Sequence, residues 1–134
     1  MIELEYKHRI LYADTDAMGV VYYANYLRIY EAARADFLDQ IKTPISAIMD
    51  YGIIMPVIKV QVDYILPAQF DWIIRVVTRI EKLPMAKLVV YHEMYSPENV
   101  LLNKATITLS FVDNKTFRAV RCPEWIIDNI KKYI

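Results

Sequence analysis

The chain has 134 residues, which is enough for one domain and too few for two. Hydrophobic residues make up 56% of the chain and charged residues 24%, so it can fill a core and is not a disordered protein. Its formal net charge of +0 argues against a protein that binds nucleic acid over its whole surface. The single cysteine, Cys122, cannot form an internal disulfide and is typical of a reducing, cytoplasmic protein.

The first residues alternate charged and apolar side chains, unlike a signal peptide, and no apolar run approaches the ~20 residues of a membrane span. Residues 3–11 predict a half-buried strand, because every second side chain is apolar or aromatic. Residues 12–24 follow neither the strand period nor the helix period and are interpreted as a structured loop. A long helix is predicted from Asn25, a residue that favours the N-cap position, to about Ile41.

After this helix, residues 45–51 predict a short second helix that ends at Gly52. Period-two alternation then predicts four consecutive strands, at 57–65, 71–82, 86–95 and 101–112. A short helix is expected in the tail from Pro123 to Ile134. Consecutive strands with short links favour antiparallel pairing. The sequence therefore predicts an α+β domain, in which an antiparallel sheet of about five strands wraps around one long central helix.

The residues best suited to chemistry lie in loop 12–24. Asp14 and Asp16 are separated by one residue, and Gly19 follows just before the predicted helix. Paired aspartates suggest a metal site, but the ligand pattern of a calcium loop is not continued, and an aspartate that shapes a turn is the simpler interpretation. A third interpretation uses the helix N-terminus, where free N–H groups stabilise a developing oxyanion while a loop carboxylate attacks or activates water.

In this segment the sequence resembles a known family. An Arg-Ile pair at Arg9 leads to Thr-Asp-Ala-Met-Gly-Val-Val at 15–21, then Tyr-Tyr-Ala-Asn-Tyr-Leu at 22–27 and Glu-Ala-Ala-Arg at 31–34. This pattern is similar to that of hot dog fold thioesterases of the 4-hydroxybenzoyl-CoA thioesterase class, in the YbgC-like acyl-CoA branch. The match is dense over about twenty-five residues, and the order of elements agrees along the rest of the chain. The resemblance implies one hot dog domain over residues 1–134.

The resemblance also implies site residues. Asp16 falls on the family's catalytic carboxylate, as nucleophile or general base, and Gly19 shapes the loop. Tyr23 falls where a backbone N–H at the helix start polarises the thioester carbonyl. Many YbgC-like members have His at this position, whereas this chain has Tyr, as the 4-hydroxybenzoyl-CoA members do. Neither a metal nor a redox cofactor is expected.

The implied activity is hydrolysis of an acyl-CoA thioester to a carboxylic acid and CoA, with acyl carrier protein as a further possible acyl donor. The usual assembly of the family implies a homodimer joined edge to edge through its sheets, with sites at the subunit interface, and a homotetramer built from two dimers. Two alternatives on the same fold remain: a protein that binds acyl thioesters without cleaving them, and a hydratase or dehydratase. An assembly role without turnover is a third.

Four other residues attract attention and receive structural interpretations. His8 and His92 lie on apolar strand faces and are interpreted as core or interface histidines. Glu31 precedes Arg34 by three positions on the helix, which predicts an ion pair rather than a second catalytic carboxylate. Cys122 has one basic neighbour, Arg121, and no histidine near it in the sequence. This is weak evidence for a reactive thiol.

Overall fold

One long helix and an antiparallel sheet account for most of the chain in the computed structural model, which describes residues 1–134. Three α-helices are present, namely α1 (Asn25–Gln40), α2 (Ile45–Asp50) and α3 (Glu124–Lys131). Seven strands form the sheet, namely β1 (Ile2–Arg9), β2 (Ile53–Ile54), β3 (Val57–Tyr64), β4 (Ile73–Ile80), β5 (Lys87–Tyr95), β6 (Leu101–Asp113) and β7 (Ala119–Val120). The predicted α+β class, the three helices and the five longer strands are confirmed.

The five longer strands lie in the order β1, β4, β5, β6 and β3, and all neighbouring pairs are antiparallel. The strands β4, β5 and β6 follow one another through short loops, as predicted. By contrast, β1 pairs with β4 although α1, α2 and two strands lie between them in the chain. The short strands β2 and β7 pair with the far end of β6. The two long edge strands of the sheet are therefore β1 and β3.

The core lies between α1 and the inward face of the sheet. Six residues of α1 are buried at helical spacing, namely Tyr26, Ile29, Tyr30, Ala33, Phe37 and Leu38. They join the inward side chains of the sheet in one cluster of 27 buried residues. Each fully buried large apolar side chain contributes about 1.5–3 kcal/mol, so this packing, more than helix propensity, holds α1 in place.

Strand β3 departs from the burial that its alternation predicts. Val60 and Val62 pair with the buried residues Ile107 and Ala105 of β6, yet Val60 remains 40% exposed and Val62 is only half-buried. Most of the other β3 side chains are exposed as well. This follows from the position of β3 at the sheet edge, because α1 packs against β1 and β4 at the opposite side of the sheet. An apolar edge strand is therefore left uncovered.

The start of α1 also differs from the prediction. The residue before the helix, Ala24, already has helical dihedral angles and makes no side-chain cap. Asn25 is the first helical residue rather than the N-cap, and its side-chain amide donates to the backbone oxygen of Asp14 at 2.9 Å. The strands β2 and β7 were not predicted, because two residues are too few to show a period. Neither the length nor the hydropathy of any helix is sufficient for a membrane crossing.

Candidate active site

Loop 12–24 folds into a hairpin-like turn that places Asp16 just before α1. Thr15 and Val21 form an antiparallel bridge, and the Asp16 N–H donates to the Val20 oxygen at 2.9 Å. At the tip, the Gly19 N–H donates to the Asp16 oxygen at 3.1 Å. Gly19 has φ +78°, in the left-handed region that glycine adopts without steric strain. The predicted role of Gly19 in shaping this turn is consistent with that geometry.

The Asp16 carboxylate is half-buried and has few partners. Its Oδ1 atom accepts one hydrogen bond, from the Met18 N–H at 2.8 Å, which fixes the side chain against its own turn. No basic side chain forms an ion pair with it, and its Oδ2 atom accepts no hydrogen bond from the protein. One oxygen of Asp16 is therefore available to a bound substrate or to water.

The Tyr23 N–H is likewise available. Its neighbour Tyr22 donates to the Asp14 oxygen at 3.0 Å, and Asn25 donates to the Tyr22 oxygen at 2.8 Å, whereas the Tyr23 N–H has no acceptor within the protein. The Tyr23 oxygen, which belongs to the next peptide unit, accepts from the Tyr64 hydroxyl at 3.0 Å and anchors the backbone on the other side of Tyr23. Free N–H groups at the start of α1 carry the positive end of the helix dipole. They suit an oxygen atom that becomes negative during a reaction.

A groove of about 340 Å³ opens beside the Tyr23 peptide. Apolar and aromatic side chains line it, and they come from loop 12–24, the start of α1, and the end of β3 with the segment after it: Val21, Tyr23, Tyr26, Tyr64, Ile65, Leu66 and Pro67. The rings of Tyr26 and Tyr64 meet edge to face with centroids 5.5 Å apart. Burial raises the pKa of the Tyr26 hydroxyl, and the charges of the nearby Tyr64 and Asp16 raise it further. The hydrogen bond from the Ala68 N–H lowers this pKa but does not offset the rise. The groove suits an uncharged acyl group.

Sequence reasoning missed the contribution of residues 64–67 to this groove. The available signal was an apolar Tyr-Ile-Leu-Pro run that continues beyond the strand period, and in the structure all four residues are exposed. Two backbone contacts bring the following residues to loop 12–24. Val20 forms a bridge with Gln69, and Val21 donates to the Ala68 oxygen at 2.8 Å.

Asp14 has a different environment from Asp16. It is buried, and its Oδ2 atom accepts from the Leu11 N–H at 2.9 Å and lies 3.1 Å from His8 Nε2, while its Oδ1 atom accepts from Arg28. Burial raises the pKa of this carboxyl, but the bonds from Leu11, His8 and Arg28 together outweigh that effect and hold it below its ordinary value. Both oxygens are occupied, so Asp14 organises the loop, and His8 is half-buried beside it as one of its partners.

His92 and Cys122 lie away from the groove and are buried. The His92 Nδ1 atom lies 3.0 Å from the Thr78 hydroxyl, and its ring stacks on Tyr30. Burial, helped by the charge of Arg34, lowers the pKa of His92 to about 3, so the imidazole is neutral. Burial raises the pKa of the Cys122 thiol to about 12, with a smaller effect from Glu124. Neither group is poised for catalysis.

The predicted ion pair between Glu31 and Arg34 is wrong. Glu31 is exposed, whereas Arg34 is half-buried beside α2, and the two side chains make no ion pair. Their i,i+3 spacing permits contact on the helix surface, but Glu31 is exposed to solvent whereas Arg34 is half-buried, and the two charged groups do not pair. Glu31 also lies outside the groove that contains Tyr23.

Comparisons with known proteins agree with this geometry. Residues 10–130 match the family model of the thioesterase-like superfamily. The acyl-CoA thioester hydrolase YbgC of Escherichia coli is 33% identical over 124 residues, covering 92% of each chain. A DHNA-CoA thioesterase from Staphylococcus aureus superposes with a TM-score of 0.91 at 27% identity, covering 98% of this chain and 91% of the other.

A structure of 4-hydroxybenzoyl-CoA thioesterase in complex with 4-hydroxybenzoyl-CoA has the same fold, with a TM-score of 0.86 at 22% identity over the whole of both chains. The chain therefore belongs to the thioesterase-like superfamily, as a hot dog fold acyl-CoA thioesterase of the YbgC-like branch.

Proposed function

We propose that Asp16 and the Tyr23 N–H form the catalytic pair with which this acyl-CoA thioesterase cleaves its substrate. The observation that carries the proposal is their availability: Asp16 keeps one oxygen without a protein partner, and the Tyr23 N–H has no acceptor. Both belong to one segment, and the apolar groove begins at Tyr23. The family relationship makes the chain a thioester hydrolase but does not assign these residues.

In the proposed mechanism the acyl group enters the groove and the thioester carbonyl oxygen accepts from the Tyr23 N–H. Negative charge that develops on this oxygen is stabilised by the N-terminal end of α1. Asp16 either attacks the carbonyl carbon, forming an anhydride that water then hydrolyses, or removes a proton from the water that attacks. In both routes the C–S bond breaks, CoA leaves as a thiol after taking up a proton, and the carboxylic acid is released.

The exposed β3 edge supports a homodimer. An unpaired strand edge with apolar side chains, such as Val57, Ile58 and Val60, attracts a second strand, and a two-fold axis would pair β3 with its own copy. Tyr64 ends β3, residues 65–67 follow it directly, and all four line the groove, so the partner's edge would lie against the active site. We further propose that two such dimers form a tetramer, and that the protein works in the cytoplasm on acyl-CoA or an acyl carrier protein thioester.

The test is a hydrolysis screen of the purified protein against acyl-CoAs from short aliphatic to long-chain and aromatic, with release of CoA thiol as the readout. Turnover that is lost in Asp16→Asn, while the folded assembly is kept, supports the assignment. An acyl-thioester binding protein would bind the substrates without releasing thiol. A hydratase or dehydratase would add or remove water at the acyl chain and leave the thioester intact.

A further inference from the structure

A second cavity lies beside the later turns of α1, and it shares no lining residue with the groove at the start of that helix. It has a volume of about 180 Å³ and is enclosed by α1, α2, β2 and β6. Eight of its ten lining residues are hydrophobic, among them Leu38, Ile48, Ile53, Met55 and Leu109. The two exceptions are Glu31 and Arg34, which are three residues apart, or about one turn of α1.

Arg34 is the unusual member of this lining. Its side chain is half-buried, and its guanidinium makes no ion pair or hydrogen bond with another residue. Burial lowers its pKa and the Glu31 charge opposes that effect, yet a guanidinium remains charged in a folded protein. Glu31 is exposed and therefore solvated. The cavity lining thus carries one half-buried guanidinium that forms no ion pair, together with the solvent-exposed Glu31 carboxylate, whose charge acts on it.

The size of the cavity limits what can enter it. An apolar protein cavity of about 150 Å³ is known to bind benzene, so 180 Å³ accommodates one six-membered ring or a short aliphatic chain. A planar guanidinium pairs best with a carboxylate, through two parallel hydrogen bonds. We propose that this cavity binds a small apolar carboxylate, with one ring or a short chain, whose charged group pairs with Arg34. The site is separate from the catalytic groove and does not depend on the role of Asp16.

Benzoate and benzamide are suitable probes, because they have the same shape and differ in charge. Titration of the 134-residue protein, followed by calorimetry or by NMR shifts of the Met49 and Met55 methyl groups, should show that benzoate binds more tightly than benzamide. Arg34→Gln should weaken benzoate binding by about tenfold or more, which is the size of one charge-assisted hydrogen bond, and leave benzamide unaffected. Glu31→Gln should leave benzoate binding equal or tighter, since it removes a negative charge.

Two further variants test whether benzoate occupies this cavity rather than the catalytic groove. Met49→Trp, at an exposed rim position, should block both probes by filling the cavity, and Asp16→Asn should bind benzoate as the wild type does. If Arg34→Gln is unfolded, Arg34→Lys keeps the charge and should retain part of the affinity. The proposal is wrong if benzoate does not bind, or if it binds Arg34→Gln equally well. It is also wrong if Arg34→Gln changes only subunit association, because Arg34 would then serve an interface.

Discussion

The Oδ2 atom of Asp14 lies 3.1 Å from the Nε2 atom of His8, so this carboxylate connects loop 12–24 to the end of β1. Arg28 binds the other oxygen of Asp14 from the start of α1. Asp16, two residues further along the chain, contacts only the backbone of its own turn. Two aspartates separated by one residue therefore have different environments, and the same substitution should have different consequences at each.

The substitution Asp16→Asn should abolish most of the activity without unfolding the protein. The amide is nearly isosteric and can still accept from the Met18 N–H, but it cannot act as a base and is a far poorer nucleophile. We expect kcat to fall by roughly 10²–10⁴ with little change in KM, because the lost interaction belongs to the transition state. Steady-state kinetics on the best acyl-CoA, with a thermal melt to check folding, measures both quantities.

The substitution Asp14→Asn should mainly reduce stability. It removes the charge that His8 and Arg28 bind, for a loss of about 1.5–3 kcal/mol in the free energy of unfolding. Because the folded pKa of Asp14 lies below its ordinary 3.8, this contribution is present above pH 3.8 and is lost as pH falls through the lowered value. Urea unfolding at neutral pH tests it. If the folded variant is inactive while Asp16→Asn stays active, the two roles have been assigned the wrong way round.

Gly19 and Gly52 offer a matched pair of substitutions. Both have positive φ, +78° and +91°, and a methyl group at either position meets no atom closer than 3.7 Å. Alanine should therefore cost each position about 1–2 kcal/mol through backbone strain alone. Only Gly19→Ala should also lower kcat, because its turn positions Asp16. Equal kcat values for the two variants would show that the turn geometry at Gly19 is not needed for catalysis.

His92 should make stability depend on pH without contributing to turnover. Its folded pKa of about 3 lies below the ordinary 6.5, so the unfolded chain binds an extra proton between these values. The free energy of unfolding should fall as pH drops from 6.5 toward 3, by at most about 1.4 kcal/mol per pH unit from this group. Urea unfolding between pH 7 and pH 4 should show that His92→Gln reduces this slope.

The same variant checks the catalytic assignment. His92→Gln and Cys122→Ser should each keep kcat within about tenfold of the wild type, a smaller loss than removal of a general base produces. A hundredfold loss in a folded protein would mean that the active site uses a group outside loop 12–24.

The exposed edge of β3 predicts a defined effect on assembly. Val60 lies near the middle of this strand, so Val60→Lys should bring two like charges together where β3 meets its copy and should dissociate the dimer. Sedimentation velocity at micromolar concentration should give a dimer or tetramer for the wild type and a smaller species for the variant. Val100→Lys, in the exposed turn before β6, is the control and should assemble normally. A monomeric wild type would contradict the proposed shared site.

Local patterns in the sequence determined most of the secondary structure. The five longer strands and α1 were predicted to within a few residues, since a period of two or of three to four reflects which side chains one element turns toward the core. Loop 12–24 and the candidates Asp16, Gly19 and Tyr23 also came from the sequence, because the family motif is contiguous there. The order of elements was sufficient to predict an antiparallel sheet around one helix.

Only the tertiary structure decided which of these residues meet. Alternation in β3 predicted a buried face, but its place at the sheet edge leaves Val60 exposed. The partners of Asp14 come from β1 and from α1, and the groove combines loop 12–24 with residues 64–67. Arg34 has the spacing for an ion pair with Glu31, yet it lines a cavity between α1, α2, β2 and β6 without forming that pair. The period of apolar side chains reflects residues that are close in sequence. The contacts of Asp14, of the groove and of Arg34 join segments that are distant in the chain, so the sequence pattern alone does not predict them.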